Sequence, residues 1–189
     1  MNFVKNHMVI LFSIVGILLT ANVFADNNHK WLTCEGTYAL CTSAPCIPDP
    51  NDPKKTAICQ CDVEQGKNIG LSSCDDRQAK TKHNIQAILS TYSFEQASSK
   101  KVMSCPAGNP WTDCMDQSCI VDPANPSKAI CSCKIEHSGA FVTYGGGCDK
   151  NTCATGYWSG ASKAGFEQAS SALMQTLQLQ SIPAQYCSE

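Results

Sequence analysis

The stretch that decides the fold is "TAICQCDVEQG", Thr56 to Gly66, because the chain nearly repeats it as "KAICSCKIEHSG", Lys128 to Gly139. In the first, Ala57, Cys59, Cys61 and Val63 alternate with Ile58, Gln60 and Asp62. In the second, Ala129, Cys131, Cys133 and Ile135 alternate with Ile130, Ser132, Lys134 and Glu136. A period of two predicts a strand in each, with both cysteines on one inward face. Two residues along an extended strand place Cα atoms about 7 Å apart, beyond the reach of a disulfide. Each cysteine of the pair must therefore bond to another segment.

Working outward, the cysteines fall into two matched sets. The first holds Cys34, Cys41, Cys46, Cys59, Cys61 and Cys74; the second holds Cys105, Cys114, Cys119, Cys131, Cys133 and Cys148. Both contain Cys-x4-Cys followed by Asp-Pro, at Asp49-Pro50 and Asp122-Pro123. "FEQASS" also recurs, at Phe94 to Ser99 and Phe166 to Ser171, and matched positions stay 71 to 74 residues apart. An internal repeat of this kind signals a duplicated structural unit. Cys153 and Cys187 have no counterparts. They form the natural remaining pair, tying the tail to the second copy; the alternative is that Cys187 reaches the first copy. The reading is a signal peptide at 1–25, a first cysteine-rich repeat at 26–102, and a second at 103–189 with a C-terminal helix and tail.

The N-terminus sets the redox compartment. Lys5 and His7 precede an apolar run from Met8 to Leu19, and Val23 and Ala25 stand at the −3 and −1 positions before Asp26. This predicts a secretory signal peptide cleaved after Ala25 and a periplasmic or extracellular protein. The apolar run is too short for a membrane span, so none is expected after cleavage. The remaining 164 residues hold 13 Lys and Arg against 16 Asp and Glu, a net charge of −3 without charge blocks. Nucleic acid and anionic membranes are poor partners for that distribution. All fourteen cysteines lie after Ala25, and an even count in an oxidising compartment predicts disulfides throughout. Leu, Ile and Val are sparse from Asp26 to Cys153, so the bridges, about 2–4 kcal/mol each, replace core.

The expected fold is small, disulfide-rich and mainly β: two tandem short-stranded meanders with a helical segment after each. "DPNDPKK" and "DPANPSK" read as turns, as do "EQGKN" and "EHSGA", with further strands near Ile69 and at Phe141–Tyr144. Phe166, Ala169, Leu173 and Leu177 predict a helix within Ala161–Leu179, closed before Pro183. Ile85, Ile88, Leu89 and Tyr92 predict a weaker helix within His83–Lys101, where Ser and Thr lower the propensity.

The cysteine spacing in each copy resembles that of epidermal-growth-factor-like modules. That resemblance implies first-to-third, second-to-fourth and fifth-to-sixth pairing. The loops "DVEQGKNIGLSS" and "KIEHSGAFVTYGGG" are longer than that pattern, which favours another disulfide-rich meander. "YALCTSAPC" and "AICQCDVEQG" resemble uncharacterised exported cysteine-rich repeat proteins of bacteria, a resemblance that implies export without an activity.

Thiolates two residues apart can share a soft metal ion, so a thiolate metal-binding protein is one alternative. An oxidising compartment consumes thiols, however, and the paired Cys-x2-Cys spacing common in zinc sites is absent. His29, His83 and His137 stand at no ligand spacing. Redox chemistry needs Cys-x-x-Cys at a helix start, and none occurs. No hydrolase, metalloprotease or phosphate-loop motif is present. No catalytic residue, metal ligand or cofactor is assigned, and the chain is read as a non-enzyme. What remains is a protein- or surface-binding module whose partner is a protein or cell-surface ligand. Its Pro-stiffened loops, Ile47–Lys55 and Ile120–Lys128, could present Lys54, Lys55 or Lys128, as a protease inhibitor would. Trp111, Tyr144, Tyr157 and Trp158 could form a binding platform but more often shield disulfides.

Overall fold

The structure, a computed structural model, describes residues 30–42, 44–144, 153 and 157–187. The signal peptide and Cys148 lie outside these residues. The elements are β1 (Leu32–Leu40), β2 (Cys46–Pro48), β3 (Thr56–Gly70), β4 (Lys80–Lys82), β5 (Ile85–Leu89), β6 (Tyr92–Ser93), α1 (Gln96–Ser99), β7 (Lys101–Cys105), β8 (Trp111–Asp113), β9 (Ser118–Asp122), β10 (Asn125–Glu136), β11 (Phe141–Tyr144), β12 (Ser159–Ser162), α2 (Lys163–Leu177) and β13 (Gln185–Tyr186).

The two repeated stretches form β3 and β10, and they pair with each other. They run antiparallel, with Cys59 opposite Cys131, Ala57 opposite Cys133 and Cys61 opposite Ala129. Residues matched in the repeat thus exchange places about a local two-fold axis through the Cys59–Cys131 pair. β2 flanks β3 with Cys46 opposite Cys59, and β9 flanks β10 with Cys119 opposite Cys131. The result is a row of four cysteines, Cys46, Cys59, Cys131 and Cys119, across four adjacent strands. The copies therefore share one sheet rather than standing as two separate meanders.

The inward alternation read from sequence is present. Ala57, Cys59, Cys61, Ala129, Cys131, Cys133 and Ile135 are all buried, while Gln60, Ile130, Ser132 and Lys134 face out. The outer face also leaves Ile47 and Ile120 in solvent. Inside, the bridges are nested. Cys46–Cys59 lies within Cys41–Cys61, which lies within Cys34–Cys74. Cys119–Cys131 lies within Cys114–Cys133, which lies within Cys105–Cys153. This is not the pairing that growth-factor-like spacing implies. Directly opposed strand neighbours sit about 4.5 Å apart at non-hydrogen-bonded positions. The innermost bridges, with Cα separations of 4.1 and 4.3 Å, fit that geometry.

The expected Cys153–Cys187 bridge does not form, because Cys153 is bonded to Cys105. Cys187 is also disulfide-bonded. Its N–H donates to Val102 O at 2.9 Å, and β13 runs parallel to β7, so the tail returns to the strand at the junction of the two copies.

Two other expectations change. "EQGKN" is not a turn: β3 runs unbroken to Gly70 because β1 pairs with it from Leu32–Gly70 to Leu40–Asp62. Gly66 takes φ +140° opposite Gly36 in that ladder, a backbone geometry that side chains disfavour. His83–Lys101 holds the strands β5 and β6 and a single helical turn at Gln96–Ser99 in place of one helix. The same hexapeptide sits inside α2 in the second copy. Six residues cannot nucleate a helix alone; "ALMQTLQL" extends it there, whereas "KKV" turns into β7 here. α2 itself matches its apolar stripe, with Ala169 and Leu173 buried and Ser162 Oγ accepting from Gly165 N–H at 3.1 Å. It ends at Gln178 in the left-handed region, five residues before Pro183.

The Asp-Pro turns do form, in the same way in both copies. Asp49 Oδ1 accepts from Asn51 N–H at 2.9 Å, and Asp122 Oδ1 accepts from Ala124 N–H at 2.8 Å.

Gly70, the last residue of β3, lies beneath two side chains. A Cβ there would sit 2.8 Å from Asp116 Oδ1 and 3.0 Å from Arg77 Nη2. Gly70→Ala should cost about 1–3 kcal/mol through overpacking, measured as a lower midpoint in denaturant titration with unchanged slope.

Candidate functional site

The sequence-predicted site residues among the described residues have places in this frame. Lys54 and Lys55 are exposed on the turn between β2 and β3. Their carbonyls are engaged: Lys54 O accepts from His137 Nε2 at 2.8 Å, and Lys55 O accepts from Ile135 N–H at 2.8 Å. Lys128 does not sit on the matching loop. It lies on β10 directly opposite Asp62 of β3, and its ammonium pairs with that carboxylate. The two lysine-bearing loops are therefore not equivalent, because the second turn closes at Asp122–Asn125 and Lys128 is drawn into the ladder.

Of the predicted disulfide cysteines, Cys41, Cys46, Cys59, Cys61, Cys114, Cys119, Cys131 and Cys133 converge in one buried cluster. Cys41 Sγ lies 3.3 Å from Cys131 Sγ, and Cys59 Sγ lies 3.6 Å from Cys114 Sγ. These two contacts cross between copies and correspond under the local two-fold. Three-sulfur groups here fall within 4.8 Å, as a soft metal would need. Each sulfur is in a disulfide and so offers no thiolate.

Of the predicted aromatics, Trp111 is buried and stacks on Phe141 with centroids 5.5 Å apart, beside the Cys105–Cys153 bridge. Tyr157 packs against the sulfur core. Both shield disulfides. The aromatics that line an open surface are Trp31 and Tyr92, which the sequence reading did not single out. They stack at 5.9 Å and 22° on one side of a groove of about 980 Å³. Its other wall is α2, which packs with Phe166, Ala169, Leu173 and Leu177 toward the fold and turns Glu167, Gln168, Ser171 and Gln175 to the groove. Trp31 Nε1 donates to Gln168 Oε1 at 3.3 Å, bridging the walls. The 31–92 pairing depends on a distant sheet contact, β6 against β3, so no local pattern announces it.

Asp113 and Asp116 come from the β8 end and the turn after it. Asp113 Oδ1 accepts from Met115 N–H at 3.0 Å. Burial raises the Asp113 carboxyl above the usual carboxylate range, Glu136 adds to this, and the Met115 bond and Lys134 oppose it. Lys134 is itself paired with Glu136 at 2.6 Å. Burial, then Asp113 and Asp116, push the Tyr92 phenol up, so it stays neutral. Asp116, at φ +54°, accepts from Leu71 N–H at 2.7 Å and Ser72 N–H at 3.2 Å through Oδ2. Its Oδ1 faces Arg77 Nε at 4.0 Å. Arg77 is the only arginine of the chain and is almost wholly buried. It donates from Nη1 to Asn68 Oδ1 at 3.1 Å, while Nε and Nη2 have no hydrogen-bond partner. Burial lowers its pKa and Asp116 opposes this.

Asp113 and Glu167 thus remain as carboxylates without a partner cation in the groove, and none of the groove-lining residues is Lys, Arg or His. The arrangement can stack on a flat or cationic group and neutralise positive charge. Comparison with protein-family models, curated proteins and solved structures found no match.

Two outcomes follow for the carboxylates. Asp116→Ala leaves Arg77 buried without its counter-charge, strips two backbone N–H groups and puts Ala in a left-handed conformation. It should destabilise by about 3–5 kcal/mol. Asp116→Asn keeps the acceptor and tolerates the backbone, so calorimetry should show a clearly smaller loss. For Asp113 the folded pKa is raised, so the fold holds the proton more tightly than the unfolded chain. This group favours the fold at acid pH and opposes it as pH rises through the window above the unfolded value. Asp113→Asn should therefore raise the melting temperature at neutral pH, with the gain shrinking as the buffer is acidified.

Proposed function

We propose that this is an exported, non-catalytic binding protein whose groove between α2 and the Trp31–Tyr92 stack captures a lysine- or arginine-bearing segment of another protein. The observation that carries the reading is the groove's charge. Asp113 and Glu167 line the same groove as the stacked aromatics, and the lining offers no basic side chain to oppose a cation. A cation over an aromatic face contributes about 0.5–2 kcal/mol, more as water is excluded, and the carboxylates add specificity and association rate.

Export is supported by the N-terminal sequence, with cleavage after Ala25. The six bridges among described residues fit an oxidising extracellular or periplasmic setting. No helix among the described residues is long and apolar enough to cross a membrane. The bridged scaffold suits binding, because walls already ordered lose little entropy when a ligand arrives.

Calorimetric titration with a Lys/Ala peptide, against a Glu/Ala control of equal length, checks the reading. The basic peptide should bind, more weakly as salt is raised, and the acidic one should not. Glu167→Gln, at an exposed position, should weaken binding several-fold while leaving the melting temperature unchanged. Equal affinity for both peptides, or none for either, removes the proposal.

A further inference from the structure

We propose that this protein is made through a disulfide-isomerisation step, and that its partner before the fold closes is a dithiol isomerase of the exporting compartment. The inference rests on export and on the bridge topology, not on the groove.

In the first copy the cysteines emerge in the order Cys34, Cys41, Cys46, Cys59, Cys61, Cys74. Oxidising each with its nearest neighbour as the chain appears joins Cys34 to Cys41, Cys46 to Cys59 and Cys61 to Cys74. The structure has Cys34–Cys74, Cys41–Cys61 and Cys46–Cys59. Only the innermost bridge is shared. In the second copy, neighbour pairing likewise gives Cys119–Cys131, which is present. It also gives Cys105–Cys114, which is not, since Cys114 bonds Cys133 and Cys105 bonds Cys153.

The conversion has a balanced route. An external thiolate attacks Cys41 Sγ of a Cys34–Cys41 bridge, forming a mixed disulfide and releasing the Cys34 thiolate. That thiolate attacks Cys74 Sγ of Cys61–Cys74, forming Cys34–Cys74 and expelling the Cys61 thiolate. Cys61 then attacks Cys41 Sγ in the mixed disulfide, forming Cys41–Cys61 and returning the external thiolate. Two bridges are consumed and two formed, with no net oxidation.

Among the described residues no cysteine is free to supply that thiolate once they are oxidised. The folded core cannot admit one either: Cys41, Cys46, Cys59, Cys61, Cys114, Cys119, Cys131 and Cys133 are all buried. Wrong partners are also close. The Cys41–Cys131 and Cys59–Cys114 contacts put a sulfur of the other copy 3.3 and 3.6 Å away. Cross-copy bridges are thus sterically available in a nearly closed core and must be corrected before it seals.

The test oxidises the purified, reduced protein with diamide alone, with added protein disulfide isomerase, or with isomerase whose reactive cysteines are alkylated. Bridges are mapped by non-reducing peptide mass spectrometry in alkylation-quenched samples. Diamide alone should trap Cys34–Cys41 and Cys61–Cys74 with Cys46–Cys59 in place. Active isomerase should raise the nested set several-fold, and the alkylated enzyme should not. Nested bridges at equal yield with diamide alone would overturn the proposal. So would quenched early species carrying Cys41–Cys61 ahead of Cys34–Cys41, a readout available even where folding stalls. The reaction runs outside any cell, so its failure counts against the isomerase alone. Recovery of the protein from its host with fourteen free thiols would count against export.

Discussion

Cys59 facing Cys131 across two antiparallel strands is the contact on which the rest of the structure depends. It sets the register in which two "AIC-x-C" strands share an inward face. A slip of one residue would turn every cysteine on one strand to solvent. With that register fixed, Cys46 and Cys119 fall into line on either side, and Cys41 and Cys114 reach the remaining inward positions of β3 and β10. Ala57 and Ala129 sit beside them with no exposure, since larger side chains would push the bridges off the sheet. Sulfur does here what Leu and Ile do in a larger core, and it suits a chain with few aliphatic residues to bury.

The groove is a consequence of that shared sheet. Trp31, Leu71 and Tyr92 come from the first copy, and Asp113, Asp116 and α2 from the second. Neither copy alone has both walls. The copies match where the bridges are and diverge beyond them, one helical turn in the first answering a fifteen-residue helix in the second. Divergence at the margins of a duplicated core is where a single, unsymmetrical site can arise without disturbing the packing that both halves need.

The inward cysteines, the Asp-Pro turns and the helix before the tail were legible in the sequence, because each rests on contacts within a few residues. The period of two survives wherever one face is buried, and an Asx turn closes over two residues. The pairing of β3 with β10 was not legible. An amphipathic strand shows which face is buried but not which edge is covered, and both edges of each strand are taken. The run of β3 through "EQGKN" was hidden for the same reason: Gly66 signals a turn locally, and only the facing β1 makes it a strand. The groove was least visible. Trp31 and Tyr92 are far apart in sequence, and Arg77 looks like one more surface cation until Gly70, Asn68 and Asp116 are seen around it.

Every bridge with both cysteines among the described residues stays within one copy. The described contacts that join the copies include the β3–β10 and β5–β9 ladders, the packed sulfurs, the Lys128–Asp62 pair, and the ties that Asp116 makes to Leu71, Ser72 and Arg77. Covalent cross-links raise the stability of each half chiefly by restricting its unfolded states, so they do less for the seam between halves. Opening there would expose the sulfur face and strand Arg77 without its carboxylate, which costs several kcal/mol and keeps the seam shut. The groove spans the same seam. A ligand that touches both walls binds only the closed form and stabilises it by mass action. Asp113 and Glu167 come from the second copy and the aromatic pair from the first, so a ligand held between them would favour the closed arrangement that β3 and β10 already hold.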